Sequence, residues 1–155
     1  MTRLSFHPVT LARWPDLEAL FEARGGPGYC WCMPFRAKSP GTDRNSRADL
    51  KAELRARPEH RIPIGLLAYR AGEPLAWCSV APRPSFIGLH GPGAAEDASV
   101  WSITCFYVPV RHRRQGLSDR LAEAACAYAK RRGAAVIEAY PVDPDSPSYR
   151  FMGFV

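Results

Sequence analysis

The chain has 155 residues, 46% hydrophobic and 11% aromatic, which fits one globular domain with a sizeable core and excludes a disordered chain. No apolar run approaches the roughly 20 residues that a bilayer-spanning helix needs, and MTRLSFHPVT at the start lacks the apolar stretch of a secretory signal. The 21 Lys and Arg residues against 15 Asp and Glu leave a net charge of +6, compatible with nucleic acid, an anionic cofactor or neither.

Taken in chain order, LSFHPVT reads as a short strand. WPDLEALFEAR follows as a helix. Pro15 suits its first turn, Asp16 and Glu18 suit its positive end, Leu17, Leu20 and Phe21 share a face, and Gly25 and Gly26 stop it. GGPGYCWCMPFR is a loop rich in aromatic rings and sulfur, and KSPGTDRN is turn-like. SRADLKAELRARPE reads as a polar helix with Leu50 and Leu54 at i, i+4 spacing. IPIGLLAYRAGEPLAWCSVAPRP holds two apolar runs around RAGEP, a hairpin with Gly72 in its turn. ASVWSITCFYV is β-branched and aromatic enough for a central strand.

The next stretch, YVPVRHRRQGLSDRL, runs from an apolar end through Arg111, His112, Arg113 and Arg114 to Gly116 and then into a helix. Leu117, Leu121, Ala124, Ala125 and Tyr128 form its apolar stripe. Lys130, Arg131 and Arg132 suit its negative end and Gly133 caps it. AAVIEAYPV is the last strand, and strand–helix–strand at this spacing predicts a parallel pair. The order β, α, α, β, β, β, α, β is that of a mixed sheet in the α/β or α+β range, one domain over residues 1–155.

Five cysteines, Cys30, Cys32, Cys78, Cys105 and Cys126, make an odd set with three inside apolar runs. That predicts a reduced, cytoplasmic protein with buried thiols. CWC at Cys30–Cys32 has no second spaced pair or His cluster to complete a zinc site, so no metal is expected. Cys105 lies mid-strand with no His nearby in sequence and reads as a buried, inert thiol.

The basic, glycine-containing loop before the last helix has two readings, a nucleic-acid-binding arm or a phosphate cradle. The cradle rests on free N–H groups at a helix N-terminus, on Gly116, whose missing Cβ lets a pyrophosphate approach the backbone, and on charge from Arg113 and Arg114. The nucleic-acid reading needs basic residues interleaved with aromatics along one groove. Here the basic clusters stand at opposite ends of one helix, so nucleic acid is not the expected partner.

Arg113-Arg114-Gln115-Gly116-Leu117-Ser118 resembles the acetyl-CoA motif of the GNAT superfamily of N-acetyltransferases, Gln/Arg-x-x-Gly-x-Gly/Ala, with Ser118 where the family prefers Gly or Ala. The element order extends the resemblance over nearly the whole chain, and YCWCMPFR and EAYPVD are similar to a bacterial subset of it. The resemblance implies a mixed, mostly antiparallel sheet with a central parallel βαβ pair and flanking helices. It also implies direct acetyl transfer from acetyl-CoA to an amine. Tyr107, Val108 and Val110 would pair with the pantetheine arm, and Arg113, Arg114, Gln115, Gly116, Leu117 and Ser118 would hold the pyrophosphate, with Arg111 facing the 3′-phosphate or solvent. Members of the superfamily continue past the fifth strand with a helix and two more strands. A chain ending at SYRFMGFV is therefore expected to be C-terminally truncated.

The catalytic groups divide between alternatives. The strand VWSITCFYV lacks the Glu that the family often carries there; Ser102 and Thr104 position a water or are structural. Glu138 is a base or a solvated edge residue. For the acid that protonates the departing thiolate, Tyr149 is the nearest match and Tyr140 the second, against a reading of both as packed aromatics. Tyr29, Trp31, Met33 and Phe35 either line an acceptor pocket or pack the helices onto the sheet. Arg36 and Lys38 argue against a polycationic acceptor, which leaves a small molecule with a primary amine. A nucleic-acid-binding module using the basic clusters and a catalytically inactive CoA binder are the remaining alternatives, no membrane partner is expected, and a homodimer stays open.

Overall fold

The computed structural model describes residues 3–36, 46–89 and 97–146. Five strands, β1 (Leu4–Pro8), β2 (Gly65–Arg70), β3 (Glu73–Pro82), β4 (Val100–Tyr107) and β5 (Val136–Ala139), form one sheet in the order β1-β2-β3-β4-β5. The first three pairings are antiparallel, and β4 with β5 is parallel. This parallel pair stands at one end of the described sheet. The helices are α1 (Trp14–Glu22), α2 (Arg47–Glu59) and α3 (Leu117–Arg131).

The period-2 alternation of the strands sorts the core onto two faces. On one, Cys78, Val80, Trp101 and Ile103 pack with Leu117, Leu121 and Ala125 of α3. On the other, Leu67, Tyr69 and Trp77 pack with Leu17, Leu20 and Phe21 of α1, with Trp31 and with Leu54 of α2. β2 and most of β3 are buried on both faces, which is why GLLAYR and LAWCSVA read as continuous apolar runs.

Local signals explain the joints. Ser46 and Asp49 form a reciprocal capping box that starts α2. The two-residue β2–β3 turn has φ 51° at Ala71 and 83° at Gly72, the twist-matched geometry of tight hairpins. α1 ends at Glu22, because Ala23 is already extended. The last strand is only Val136–Ala139, shorter than AAVIEAYPV suggests. β4 carries a bulge: Ser79 faces Cys105 while Val80 faces Ile103, so Thr104 is the extra residue.

Candidate active site

The end of β4 is the centre of the site. Its pairing with β5 stops at Ile103–Ala139, yet β4 runs on to Tyr107 against β3. Among the described residues, Thr104–Tyr107 therefore present an open edge of backbone donors and acceptors on the β5 side.

That edge leads into the basic loop. After a 3-10 turn at Val110–His112, Arg114 (φ 60°) and Gly116 (φ 68°) take left-handed conformations, and Gly116 is the N-cap of α3. The first bond into the helix runs from Arg120 N–H to the Gly116 carbonyl at 3.2 Å. The N–H groups of Leu117, Ser118 and Asp119 thus precede the intrahelical ladder and lie at the positive end of the helix. A Cβ built at Gly116 meets nothing within 4 Å, so the space beside the Gly116 backbone is open. Donors, dipole and open space fit a pyrophosphate.

Several predicted cofactor side chains act on the loop itself. Arg113 Nε donates to the Val108 carbonyl at 3.0 Å. Gln115 Oε1 accepts from Arg70 Nη1 and Nη2 at 3.4 and 3.3 Å, and its Nε2 donates to the Arg111 carbonyl at 3.3 Å. The Leu117 side chain is core, and its N–H is one of those that precede the helical ladder. Arg111 Nε donates to His112 Nε2 at 2.9 Å. Burial, then the Arg111 and Arg70 charges, lower the His112 pKa and favour this neutral acceptor.

On the α1/α2 face, four side chains converge where β4 and β5 part. Tyr140 OH donates to Glu138 Oε2 at 2.5 Å and lies 3.2 Å from Ser102 Oγ. Arg83 Nε is 3.6 Å from the same Glu138 oxygen. Arg83 is buried and held by the carbonyls of Phe86 and Leu89. Burial raises the Tyr140 pKa, and the bond to Glu138 raises it further, so this phenol stays protonated at neutral pH. Sequence reasoning missed Arg83, because an Arg inside APRPSF carries only a loop signal.

Beside the open edge, Tyr107 OH donates to the Gly25 carbonyl at 3.2 Å. Gly25 lines a cleft of about 500 Å³ with Phe21, Glu22, Tyr29, Trp31 and Lys51. Lys51 pairs with Glu18 and with Glu22, and stands 5.3 Å from the Trp31 ring centre. The four predicted acceptor-loop residues separate here. Tyr29 is 67% exposed at the rim. Trp31 is buried against Trp14 and Phe21 and offers the cleft only part of its wall. Met33 is wholly core, and Phe35 is half-buried outside the cleft. Arg36, expected as a charge that would meet the acceptor, is instead 1% exposed, with its guanidinium held by the Ile64 carbonyl and Ser79. Tyr149 and Lys38 lie outside the described residues.

Cys32 and Cys105 meet beside the bulge, while Cys126 is exposed on α3. Cys32 Sγ accepts from Trp77 Nε1 at 3.3 Å. Its side-chain hydrogen bond with Cys105 pushes Cys32 up to about 12 and holds Cys105 below the ordinary thiol value. Burial pushes Cys78 up. Among the described residues no three His, Cys, Asp or Glu side chains gather as a metal site, and no helix is long and apolar enough to cross a membrane.

The family model described as the acetyltransferase (GNAT) family matches residues 27–154. No curated protein sequence matches the chain. Among solved structures, the aminoglycoside N-acetyltransferase AAC(6')-Iy in complex with CoA is similar over 99% of this chain and 84% of its own, at 13% identity and a TM-score of 0.62. AAC(6')-IG from Acinetobacter haemolyticus, an aminoglycoside antibiotic 6'-N-acetyltransferase, is similar over 97% of this chain and 90% of its own, at 19% identity and 0.58. Diaminobutyrate acetyltransferase EctA from Paenibacillus lautus, in complex with its substrate and coenzyme A, covers 99% and 75% at 15% identity and 0.52. These likenesses show a shared fold.

Proposed function

This chain belongs to the GNAT acetyltransferase family, whose acetyl donor is acetyl-CoA, and we propose that it transfers the acetyl group directly to a primary amine of a small molecule. The observation that carries the reading is the open edge of β4 running into the unpaired N–H groups of α3. Acetyl-CoA supplies an activated acetyl thioester. The backbone of Tyr107, Val108 and Val110 holds its pantetheine arm. The N–H groups around Gly116 to Ser118 hold its pyrophosphate, with Arg114 on the exposed side. Arg113 and Gln115 serve by fixing the loop, through Val108, Arg70 and Arg111.

The acceptor enters from the cleft beside Tyr107. Its volume suits a small molecule, and the Glu18 and Glu22 carboxylates around Lys51 offer partners to a polar, amine-bearing one. Neighbours of the same fold are described as acting on aminoglycosides and on a diamino acid, which supports this class. Glu138 Oε2 takes the proton from the attacking amine. Tyr140, held protonated and bonded to that same oxygen, gives its proton to the sulfur of the departing CoA and recovers one from Glu138. Arg83 and Ser102 keep the pair in place.

The test is a panel of aminoglycosides, diamino acids, simple amines and a lysine-bearing peptide incubated with enzyme and acetyl-CoA. Thiol release and mass gain are read together. Acetylation of at least one small amine is the expected result. Acetylation confined to the peptide, or none at all, contradicts the reading.

A further inference from the structure

We infer that Thr104 is a hydroxyl donor, oriented by Arg36 through Ser79, toward the carbonyl oxygen of the acetyl thioester. The inference rests on the acetyltransferase reading above and concerns the same site.

Arg36 is an unusual charge. Its guanidinium donates to the Cys32 carbonyl at 2.7 Å, to the Ile64 carbonyl at 2.8 Å and to Ser79 Oγ at 2.9 Å, and lies 4.7 Å from the centre of the Phe86 ring. Among the described residues no carboxylate pairs with it, and its buried Nε has no hydrogen bond. Burial pushes its pKa down to about 10, which leaves it a cation at neutral pH. A buried cation without a counter-ion is costly, so its surroundings must answer it with oriented dipoles.

Ser79 is one of those dipoles. It is fully buried, and its Oγ lies 2.9 Å from Thr104 Oγ1. A guanidinium only donates, so Ser79 Oγ accepts from it. A hydroxyl beside a fixed cation turns its oxygen to the charge and its proton away. Of the two senses that the 2.9 Å contact allows, we take the one in which the Ser79 proton goes to Thr104. In that sense Thr104 accepts, and its own proton is left to point at a ligand. Each bond in such a chain polarises the next.

Thr104 stands where this donor is useful. It is the extra residue of the β4 bulge and the first residue past the last β4–β5 pair, half-buried at the opening of the strands. A preoriented donor there stabilises the oxygen that gains charge when an amine adds to the thioester. Removing such a donor typically costs about 10²–10³-fold in rate. The strand thus carries a donor and leaves the base to Glu138.

Isotope-edited infrared difference spectra of bound acetyl-CoA read the thioester carbonyl stretch with no acceptor present. Calorimetry first establishes saturation, and thermal unfolding establishes that each variant is folded. The expected result is a stretch at lower frequency in the unsubstituted protein than in Thr104→Val. Ser79→Ala raises it as well, Thr104→Ser restores it, and Ser79→Ala adds nothing in the Thr104→Val background. An unchanged stretch in saturated, folded Thr104→Val overturns the inference while acetyl-CoA binding stands. If Thr104→Val fails to fold, Ser79→Ala decides alone by the same criterion. An unsubstituted protein that does not bind acetyl-CoA overturns this inference and the acetyltransferase reading together.

Discussion

At the scale of single residues, three substitutions separate chemistry from packing. Glu138→Gln removes the proposed base and leaves its size, so kcat falls by about 10²–10⁴-fold while the affinity for CoA is kept. Steady-state kinetics with calorimetry on the same variant checks this, and an unaltered kcat returns Glu138 to an edge residue. The loop residues behave differently from one another. Trp31 is buried between Trp14 and Phe21, so Trp31→Ala costs about 3–5 kcal/mol of stability. Tyr29→Ala, at the exposed rim, raises the acceptor KM with little change in the unfolding midpoint. Denaturant unfolding and kinetics on both variants make the comparison, and a stable Trp31→Ala protein contradicts the packing. The sequence offers Tyr29, Trp31, Met33 and Phe35 as one aromatic and sulfur-rich set. Alternation along a loop does not say which side chain meets a helix. Arg36 is the stronger case: its partners Ile64 and Ser79 lie 28 and 43 residues away, and no local pattern carries that distance.

At the scale of elements, much was legible because the signals are local. The apolar stripe of α3, the Gly72 turn and the Ser46 start of α2 each follow from a few neighbouring residues. The capping box ties Ser46 Oγ to the Asp49 N–H at 3.2 Å and Asp49 back to the Ser46 N–H at 2.9 Å. Ser46→Ala therefore lowers stability by about 0.5–2 kcal/mol, and Ser46→Asp recovers most of it. Chemical denaturation of the two variants measures this, and equal midpoints would remove the cap from the account. The bulge at Thr104 and the early end of β5 were not legible. Both depend on strand register, which is settled by pairing across the sheet. The open edge of β4 is a consequence of those two features together. It is invisible in ASVWSITCFYV taken alone.

At the scale of the whole molecule, several of the 21 Lys and Arg residues behind the net charge of +6 are engaged in short-range contacts. Arg70, Arg111 and Arg113 shape the loop, Arg36 and Arg83 are internal, and Lys51 is paired with acids. Phenols and buried thiols together set the alkaline limit. Burial raises the pKa of Tyr69, Tyr107, Tyr128 and Tyr140, so the folded state keeps protons that the unfolded chain releases from about the ordinary value of 10.0. The buried Cys32 and Cys78 thiols, raised from the ordinary 9.0, act in the same direction from a lower pH, so stability is fully supported below about 9 and falls as pH rises beyond it. Thermal unfolding from neutral to strongly alkaline pH checks the slope, and a flat profile contradicts it. The central claim is that acetyl-CoA lies along the open edge of β4 with its pyrophosphate at the α3 N-terminus. Gly116 holds φ 68° with open space where its Cβ would be, so Gly116→Trp fills that space and adds about 1–2 kcal/mol of backbone strain. The direct measurement is a calorimetric titration of acetyl-CoA and of CoA into the unsubstituted protein and into Gly116→Trp at a temperature where both are folded. Saturable one-to-one binding of both ligands, lost or strongly weakened in Gly116→Trp, is the expected result; no binding, or equal affinity in the two proteins, contradicts the account.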